Sequence, residues 1–402
     1  MTRTVFRGGR VFDGVRVIDA DVAVEHGRIS EVAGEIAAVD GETVVDTTNA
    51  LLAPGLFDCH VHTQYDGMDL QRIQQQPFSM QFFSAKPNFE KLLHSGVTTI
   101  RDGGGIDLGV KTAVETGILA GPRMRIAISV LSQTGGHADG WNVHGDLQRL
   151  LVPHPGRPDS VVDGVDEMRK RVREIVRAGA DVIKVCASGG VMSTRDDPRH
   201  PQFSYEELAV CVEEAADKGL SVMAHAHGAE GIKRALRAGV RSIEHGIYID
   251  DECLELFRET GAWLVPTLLA PIALVEAIEA GMVVTDEIEA KARGVAETHR
   301  AAIARAHAAG VKIAMGSDSG VFAHGRSPRE LLHMVNAGMT PEQALHAATL
   351  SAAELLQVED EVGSIEVGKI ADLIVLDGDW SDFDSFDKNL RLVMQGGEVV
   401  RA

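Results

Sequence analysis

The 402-residue sequence predicts an α/β fold, namely a (β/α)8 TIM barrel with a small β-sandwich domain assembled from both termini. Three observations predict it: apolar strand candidates alternate with helix-like stretches through the middle of the chain, both terminal regions contain short strands, and polar residues recur where the central strands end. We expect residues 1–54 and 361–402 to form the sandwich and residues 55–360 to form the barrel.

The terminal regions are rich in short β-branched segments separated by glycine and aspartate, and no helical period in residues 4–54 lasts two turns. Strands are predicted near the N-terminus at 5–8, 15–24, 28–32 and 43–52, and near the C-terminus at 362–366, 372–376 and 392–400. Because the two regions share this texture, one β module built from both termini is the simplest arrangement.

The central region supplies eight strand candidates. One ends in His60 and His62, and the others lie at 97–102, 123–130, 181–187, 221–226, 241–246, 263–268 and 311–318. Helices are predicted at 165–178, 205–218, 229–238, 251–260, 285–309 and 341–357; Ser204 and Glu207 have capping-box spacing before the second of them. Continuously apolar strands are typical of a parallel sheet buried on both faces. A doubly wound open sheet is the alternative.

Composition excludes several classes of function. The net charge of −20 argues against a nucleic-acid surface. Four cysteines with no Cys-x-x-Cys pair favour a reducing, cytoplasmic location. No apolar stretch has the length of a membrane span, and the N-terminus lacks the apolar core of a signal peptide, so no membrane partner is expected.

His60 and His62 are the first candidate metal ligands. Side chains at i and i+2 of a strand point the same way, so both imidazoles share one face, and Cys59 and Val61 face the other. Paired neutral imidazoles suit a borderline cation such as zinc. Alone, this spacing is a weak signal.

Further polar residues follow in later strands: Lys184 lies inside the apolar strand 181–187, and His225, His245 and Asp318 lie at the carboxyl ends of their strands. In a barrel these ends form one mouth, so six groups with His60 and His62 would converge there. Each residue also has an ordinary structural interpretation. A histidine at a strand end usually only makes hydrogen bonds, and Asp318 could belong to a turn or cap a helix. Lys184 could form a salt bridge, since an unpaired buried ammonium is costly. Six together favour a metal site.

Three short sequence motifs accompany this ligand pattern: QTGGHAD at 133–139, ASGGV at 187–191 and IEHG at 243–246. With them, the ordered set resembles the amidohydrolase superfamily, in its binuclear branch with a carboxylated lysine. The motifs resemble those of imidazolonepropionase-related Xaa-Pro dipeptidases and ochratoxin amidohydrolases. The resemblance covers nearly the whole chain.

The resemblance implies a role for each matched residue. His60, His62 and Asp318 would hold one divalent cation, expected to be Zn²⁺, and His225 and His245 a second. Lys184, carboxylated by CO2, would bridge them. His137 would polarise the substrate carbonyl, and Tyr248 would donate to the carbonyl or oxyanion. Asp318 would accept a proton from the attacking water and return it to the departing amine.

The implied activity is metal-dependent hydrolysis of an amide bond by metal-bound hydroxide. The expected partner is a small substrate such as an Xaa-Pro or other dipeptide, an N-acyl amino acid or an ochratoxin-like amide, and the protein is expected to be a homo-oligomer. Arg195, Arg199 and Arg326 are candidates for binding a substrate carboxylate, and residues 132–164 for a pocket wall.

Alternative functions remain open from the sequence. They are a phenylurea, carbamate or cyclic-amide hydrolase, a mononuclear deaminase on the same scaffold, a non-enzymatic barrel, and an oxidoreductase. No phosphate-binding loop supports the last of these.

Overall fold

The structure is a computed structural model that describes residues 3–67, 70–142, 144–193 and 196–402. Its strands, in chain order, are β1 (Thr4–Arg7), β2 (Arg10–Phe12), β3 (Val17–Asp19), β4 (Asp21–Glu25), β5 (Arg28–Ala33), β6 (Thr43–Asp46), β7 (Ala50–Pro54), β8 (Leu56–Val61), β9 (Val97–Asp102), β10 (Arg123–Ile126), β11 (Val130–Leu131), β12 (Val182–Cys186), β13 (Ser221–Ala226), β14 (Ser242–His245), β15 (Trp263–Val265), β16 (Lys312–Ile313), β17 (Leu373–Asp377), β18 (Leu390–Gln395) and β19 (Glu398–Arg401).

The helices are α1 (Leu70–Gln75), α2 (Met80–His94), α3 (Leu108–Glu115), α4 (Val165–Arg177), α5 (Tyr205–Ala216), α6 (Ala229–Ala238), α7 (Asp251–Thr260), α8 (Leu269–Glu279), α9 (Asp286–Ala308), α10 (Arg329–Asn336), α11 (Pro341–Ala347), α12 (Leu350–Leu356) and α13 (Phe386–Asn389), with a 3-10 turn at Phe383–Ser385. Among the described residues, no helix has both the length and the apolar content needed to cross a membrane.

Both chain ends contribute to one terminal sheet. Its six strands run in the order β19-β18-β17-β7-β2-β3, and β7 from the N-terminal region pairs antiparallel with β17 from the C-terminal region. A second, four-stranded sheet has the order β5-β4-β1-β6. Alternate residues of these strands, including Phe6, Val22, Leu52 and Val375, form their shared apolar core. The predicted boundaries at 54 and 361 stay a prediction.

The central strands form two parallel sheets, ordered β10-β9-β8 and β11-β12-β13-β14-β15-β16. Hydrogen bonds join them at two seams: Asp181 N donates to Ile126 O at 2.8 Å, and Cys59 N donates to Met315 O at 2.8 Å. Every residue of β8, β9 and β12 is buried, which fits parallel strands covered on both faces. The chain is therefore a mixed α/β protein, as predicted.

The structure corrects some predicted elements. The stretch 362–366 is not a strand: residues 362–364 form a bend, and Ser364 Oγ and Lys369 Nζ donate to the Glu366 carboxylate. The predicted helix at 341–357 is divided into α11 and α12, because Thr349 adopts a non-helical backbone (φ −133°, ψ −95°). The predicted capping box of α5 is confirmed, with both reciprocal hydrogen bonds present.

Candidate active site

The carboxyl ends of the parallel strands meet at one cavity of about 370 Å³. All six predicted metal ligands line it: His60, His62, Lys184, His225, His245 and Asp318. The convergence predicted from the sequence is thus present in the structure, and it brings together residues that are more than 250 positions apart in the chain.

One group of candidate ligands comprises His60, His62 and Asp318. Asp318 Oδ1 lies 3.6 Å from His60 Nε2 and 3.5 Å from His62 Nε2. Nδ1 of His62 donates to Gly104 O at 2.8 Å, so its Nε2 carries the lone pair that faces the carboxylate. Asp318 itself adopts a left-handed backbone (φ 62°), a conformation that is uncommon outside glycine and that is found at functional sites.

A second group comprises His225, His227 and His245, whose ligand atoms lie within 4.8 Å of one another. The ring of His227 is centred 4.4 Å from that of His225 and 4.7 Å from that of His245. Burial lowers the pKa of all three imidazoles well below the usual value, which keeps them in the neutral form that binds metal.

His227 is the member that the sequence interpretation missed. It belongs to a second His-x-His phrase, at 225–227, with the same spacing as His60 and His62. It follows the last residue of β13 and lines the cavity, and its Nδ1 is buried without a hydrogen bond among the described residues. The repeated spacing was the signal that could have found it.

Lys184 lies between the two groups on β12. Its side chain is 2% exposed, and its Nζ lies 3.2 Å from His60 Nε2. In the described part of the chain, no carboxylate oxygen lies within ion-pair distance of this amine. The salt bridge that would be the ordinary explanation for a buried lysine is therefore not found there, and burial lowers the pKa of the amine.

Two buried charges stand behind His60. Glu244 Oε2 accepts a hydrogen bond from His60 Nδ1, and Arg101 contacts both Glu244 oxygens at 2.9 and 3.0 Å. Burial opposes ionisation of Glu244, but Arg101 and His60 outweigh it and lower the pKa of this carboxyl to about 2. Glu244 is thus a buried anion that orients a candidate ligand.

His137 lies beside the second group. Its ring stacks on His225 with centroids 4.3 Å apart, and its Nδ1 lies 3.0 Å from Ser193 Oγ and 3.5 Å from Asp196 Oδ2. A Cβ atom at Gly190 would stand 2.0 Å from the imidazole, so the glycine of the 187–191 motif makes room for this ring.

The other predicted contacts are further from the cavity. Tyr248 is half-buried with Arg199 and Asp197 as charged neighbours, and it is not among the residues that line the cavity. Arg199 pairs with Asp197, and Arg326 pairs with Glu276. Neither arginine lines the cavity. Arg195 lies outside the described residues.

The cavity walls combine apolar and polar side chains. The apolar part includes Val191, Met192, Ile247, Leu274 and Ile288. Residues of the predicted 132–164 wall also line the cavity, among them Trp141 and Arg149. Arg149 Nη1 lies 2.8 Å from Asp159 Oδ2, so this cation already has a carboxylate partner.

The donor set fits two divalent cations. Imidazole nitrogens and a carboxylate oxygen are ligands that zinc and similar cations accept, and each group gathers three such donors on one side of the cavity. Lys184 lies where it could serve both groups. The orienting partners of His60 and His62 leave the Nε2 atom of each ring available for a cation.

Comparison with known proteins identifies relatives along almost the whole chain. The model of the amidohydrolase family matches residues 51–400. The chain is 38% identical to ochratoxinase from Aspergillus niger over 369 residues, which covers 87% of this chain and 76% of that protein. It is 27% identical to imidazolonepropionase from Pseudomonas putida over 399 residues, which covers 89% of this chain and 87% of that protein. A solved Xaa-Pro dipeptidase structure with methionine bound in its active site superposes with a TM-score of 0.90 at 35% identity and covers 100% of both chains.

Proposed function

This chain belongs to the amidohydrolase family, and from that premise we propose that it is a binuclear enzyme that cleaves a dipeptide, an N-acyl amino acid or an ochratoxin-like amide. Its reaction class is the metal-dependent hydrolysis of a C–N amide bond. The observation that carries the proposal is that all six proposed ligands line one cavity, with His60, His62 and Asp318 in one cluster and His225 and His245 in another.

The proposed scaffold is a closed (β/α)8 barrel. The hydrogen bonds at the two seams of the parallel sheets support closure, and so does the parallel bridge between Val61 and Ser319. In such a barrel the ligands come from the ends of different strands, so the scaffold fixes their positions relative to one another. The proposed sandwich, residues 1–54 with 361–402, is supported by the pairing of β7 with β17.

In the proposed site, His60, His62 and Asp318 hold one cation, and His225 and His245 hold the other. Lys184, as its CO2 adduct, would supply an anionic ligand to them. The burial of the amine and the absence of a carboxylate partner within the described residues support the adduct, because a carbamate converts a poorly accommodated cation into an anionic ligand. Zinc is the proposed metal.

Bound divalent cations would supply Lewis acidity, which promotes deprotonation of water near neutral pH and polarises a carbonyl. The chain's own groups would do the rest. The Asp318 carboxylate accepts the proton from the attacking water and delivers it to the departing amine nitrogen. His137, held by Ser193 and Asp196, presents its other ring nitrogen to the substrate carbonyl oxygen. Tyr248 keeps its proposed role as a second donor.

The cavity supports a substrate with an apolar group beside the scissile amide. Val191, Met192, Ile247, Leu274 and Ile288 would surround that group. Arg149 is the cation available in the cavity wall for a substrate carboxylate, and the Asp159 partner would have to be displaced or shared. Four buried free cysteines support the proposed reducing, cytoplasmic location. Self-association stays a prediction.

The test is a substrate screen on protein loaded with Zn²⁺ in the presence of bicarbonate. We expect two cations per chain by elemental analysis and hydrolysis of a subset of Xaa-Pro dipeptides, N-acyl amino acids and ochratoxin-like amides. Chelation should remove the activity, and His60→Ala should lack it while keeping the wild-type circular dichroism spectrum. One cation per chain, with deamination or cyclic-amide opening as the reaction, would favour the mononuclear alternative. Two cations per chain, with turnover of phenylureas or carbamates alone, would favour the alternative of a phenylurea or carbamate hydrolase.

A further inference from the structure

His299 lies on the outer helix α9, yet its imidazole reaches the end of strand β14. The side chain is 1% exposed and also lines the cavity. Its Nε2 donates a hydrogen bond to the main-chain carbonyl of His245 at 2.8 Å. Among the histidines that line the cavity, it is the one carried by a helix in the described structure.

The His245 carbonyl needs this donor because the ladder between β14 and β15 ends before it, although His245 still pairs with Ala226 of β13. The pairing of β14 with β15 runs from Ser242↔Trp263 to Glu244↔Val265, so His245 has no partner residue on β15. A buried carbonyl without a donor is costly, and His299 supplies the donor from outside the sheet.

His245 also has an unusual backbone. Its φ is 74°, in the left-handed region that residues with a side chain rarely adopt. Such a conformation persists only where the surroundings hold it. Two contacts do so from different directions: His299 holds the carbonyl, and Thr267 Oγ1 lies 2.7 Å from His245 Nδ1.

We propose that His299 is a positioning residue, which fixes the backbone of His245 so that its imidazole faces the second cation. The inference rests on the function proposed above only in assigning His245 to that cation. Without the donor, the His245 carbonyl turns towards another partner, the left-handed backbone relaxes, and the imidazole leaves its place beside the His225 ring, whose centroid lies 4.7 Å away.

The test uses three variants. His299→Leu removes the hydrogen-bond donor and fills the same space with an apolar side chain of similar size. His299→Gln restores a donor, because its Nε2 lies the same number of bonds from Cα as the histidine Nε2. His307→Leu is the matched control, since it makes the same change two turns further along α9, at a half-buried position.

The readout is the titration of metal-free protein with Co²⁺, followed by its visible absorption. For His299→Leu we expect the second Co²⁺ to bind about 10- to 100-fold more weakly, with altered absorption bands, as for other residues that orient a ligand. His299→Gln should recover most of the affinity and the wild-type bands, and His307→Leu should match wild type. In turnover assays, kcat of His299→Leu should fall and KM should stay near the wild-type value.

Two results would overturn the positioning role. One is a His299→Leu protein with wild-type Co²⁺ affinity and absorption bands. The other is equal impairment of the Leu and Gln variants, which would mean that ring packing and not the hydrogen bond matters. The Co²⁺ titration needs no substrate. A chain that binds two cations but cleaves no amide would therefore overturn the proposed function, while weaker Co²⁺ binding by His299→Leu would still support the positioning role.

Discussion

Glu244 Oε2 lies 2.9 Å from His60 Nδ1, with both side chains buried beneath the cavity. This contact determines the tautomer of His60: Nδ1 carries the proton, and the Nε2 lone pair faces Lys184 and Asp318. Arg101 neutralises the carboxylate from the other side. A ligand of the proposed site is therefore oriented by an ion pair that no substrate would touch.

Replacing Glu244 by Gln should weaken both metal binding and folding. The amide cannot balance Arg101, and stranding a buried charge lowers the free energy of unfolding by about 3–5 kcal/mol. Loss of an orienting carboxylate weakens metal affinity by roughly 10- to 100-fold. Denaturant unfolding of metal-free protein and competition with a chelator measure the two effects. Glu255→Gln, at an exposed position on α7, is the control. Unchanged affinity in Glu244→Gln would contradict the orienting role.

Asp318→Asn should abolish turnover while the fold remains. The amide cannot accept the proton that the reaction releases, and positioned acid–base groups contribute about 10²- to 10⁴-fold to rate. Steady-state kinetics with the best substrate of the screen, alongside circular dichroism, measure this. The control is Asp360→Asn, an exposed change after α12. A wild-type kcat in Asp318→Asn would rule out the assigned proton transfer.

Lys184→Ala should lower the metal content below two per chain and remove activity. If the native lysine works as a carbamate, a short carboxylate such as acetate or propionate can occupy the vacated space and restore part of both. Elemental analysis and turnover across a series of added carboxylates test this. Lys111→Ala is a matched control, because Lys111 pairs with Asp181 just before the start of the same strand, β12. Two tightly bound metals in unsupplemented Lys184→Ala would argue against a bridging role.

The sequence predicts the candidate site well where a strand ends in a polar residue, because strand polarity alone decides which end of the sheet that residue reaches. His60 and His245 were found in this way, whereas Lys184 was found as a lysine inside an apolar strand. His227 was missed because it follows β13, outside the predicted strand. The role of Glu244 was missed because its partner Arg101 is 143 residues away, and only the folded sheet brings the two together.

The helices also divide into those that a local sequence pattern predicts and those that it does not. Helix α6 has an apolar stripe on one face, and its predicted bounds match Ala229–Ala238. The α8 helix was missed because residues 269–279 are apolar on nearly every face, so no helical period stands out. The non-helical backbone of Thr349 divides α11 from α12, and a pattern of apolar spacing does not record it.

His227→Ala should reduce catalysis without releasing metal. In the proposed site, His225, His245 and modified Lys184 would provide three ligands to the second cation, and a catalytic site keeps its remaining position open. The imidazole of His227 is then available to the substrate, and loss of such a donor costs about 10²- to 10³-fold in kcat. Elemental analysis should find two cations in the variant. The exposed His94→Ala serves as control. Loss of one cation would instead make His227 a ligand.

Glu330 should make folding stability depend on pH. Its carboxylate accepts hydrogen bonds from Leu268 N and Leu269 N at the start of α8. Burial is the main cause that raises its pKa to about 8, and these two bonds only partly oppose it. The folded protein therefore holds a proton here that the unfolded chain, with an ordinary carboxyl, releases near pH 4.5. The stability contributed by Glu330 is present below that pH and declines as the pH rises towards 8.

Glu330→Gln removes this titration, so the wild-type advantage in unfolding free energy over the variant should shrink steadily between pH 5 and pH 8. Denaturant unfolding of chelator-treated protein at several pH values measures it, and the exposed Glu361→Gln should run parallel to wild type. Parallel curves for Glu330→Gln and wild type would mean that Glu330 titrates normally. Since Glu330 accepts the hydrogen bonds at the start of α8, and α8 supplies Leu274 to the cavity wall, this carboxyl is part of what holds that wall in place.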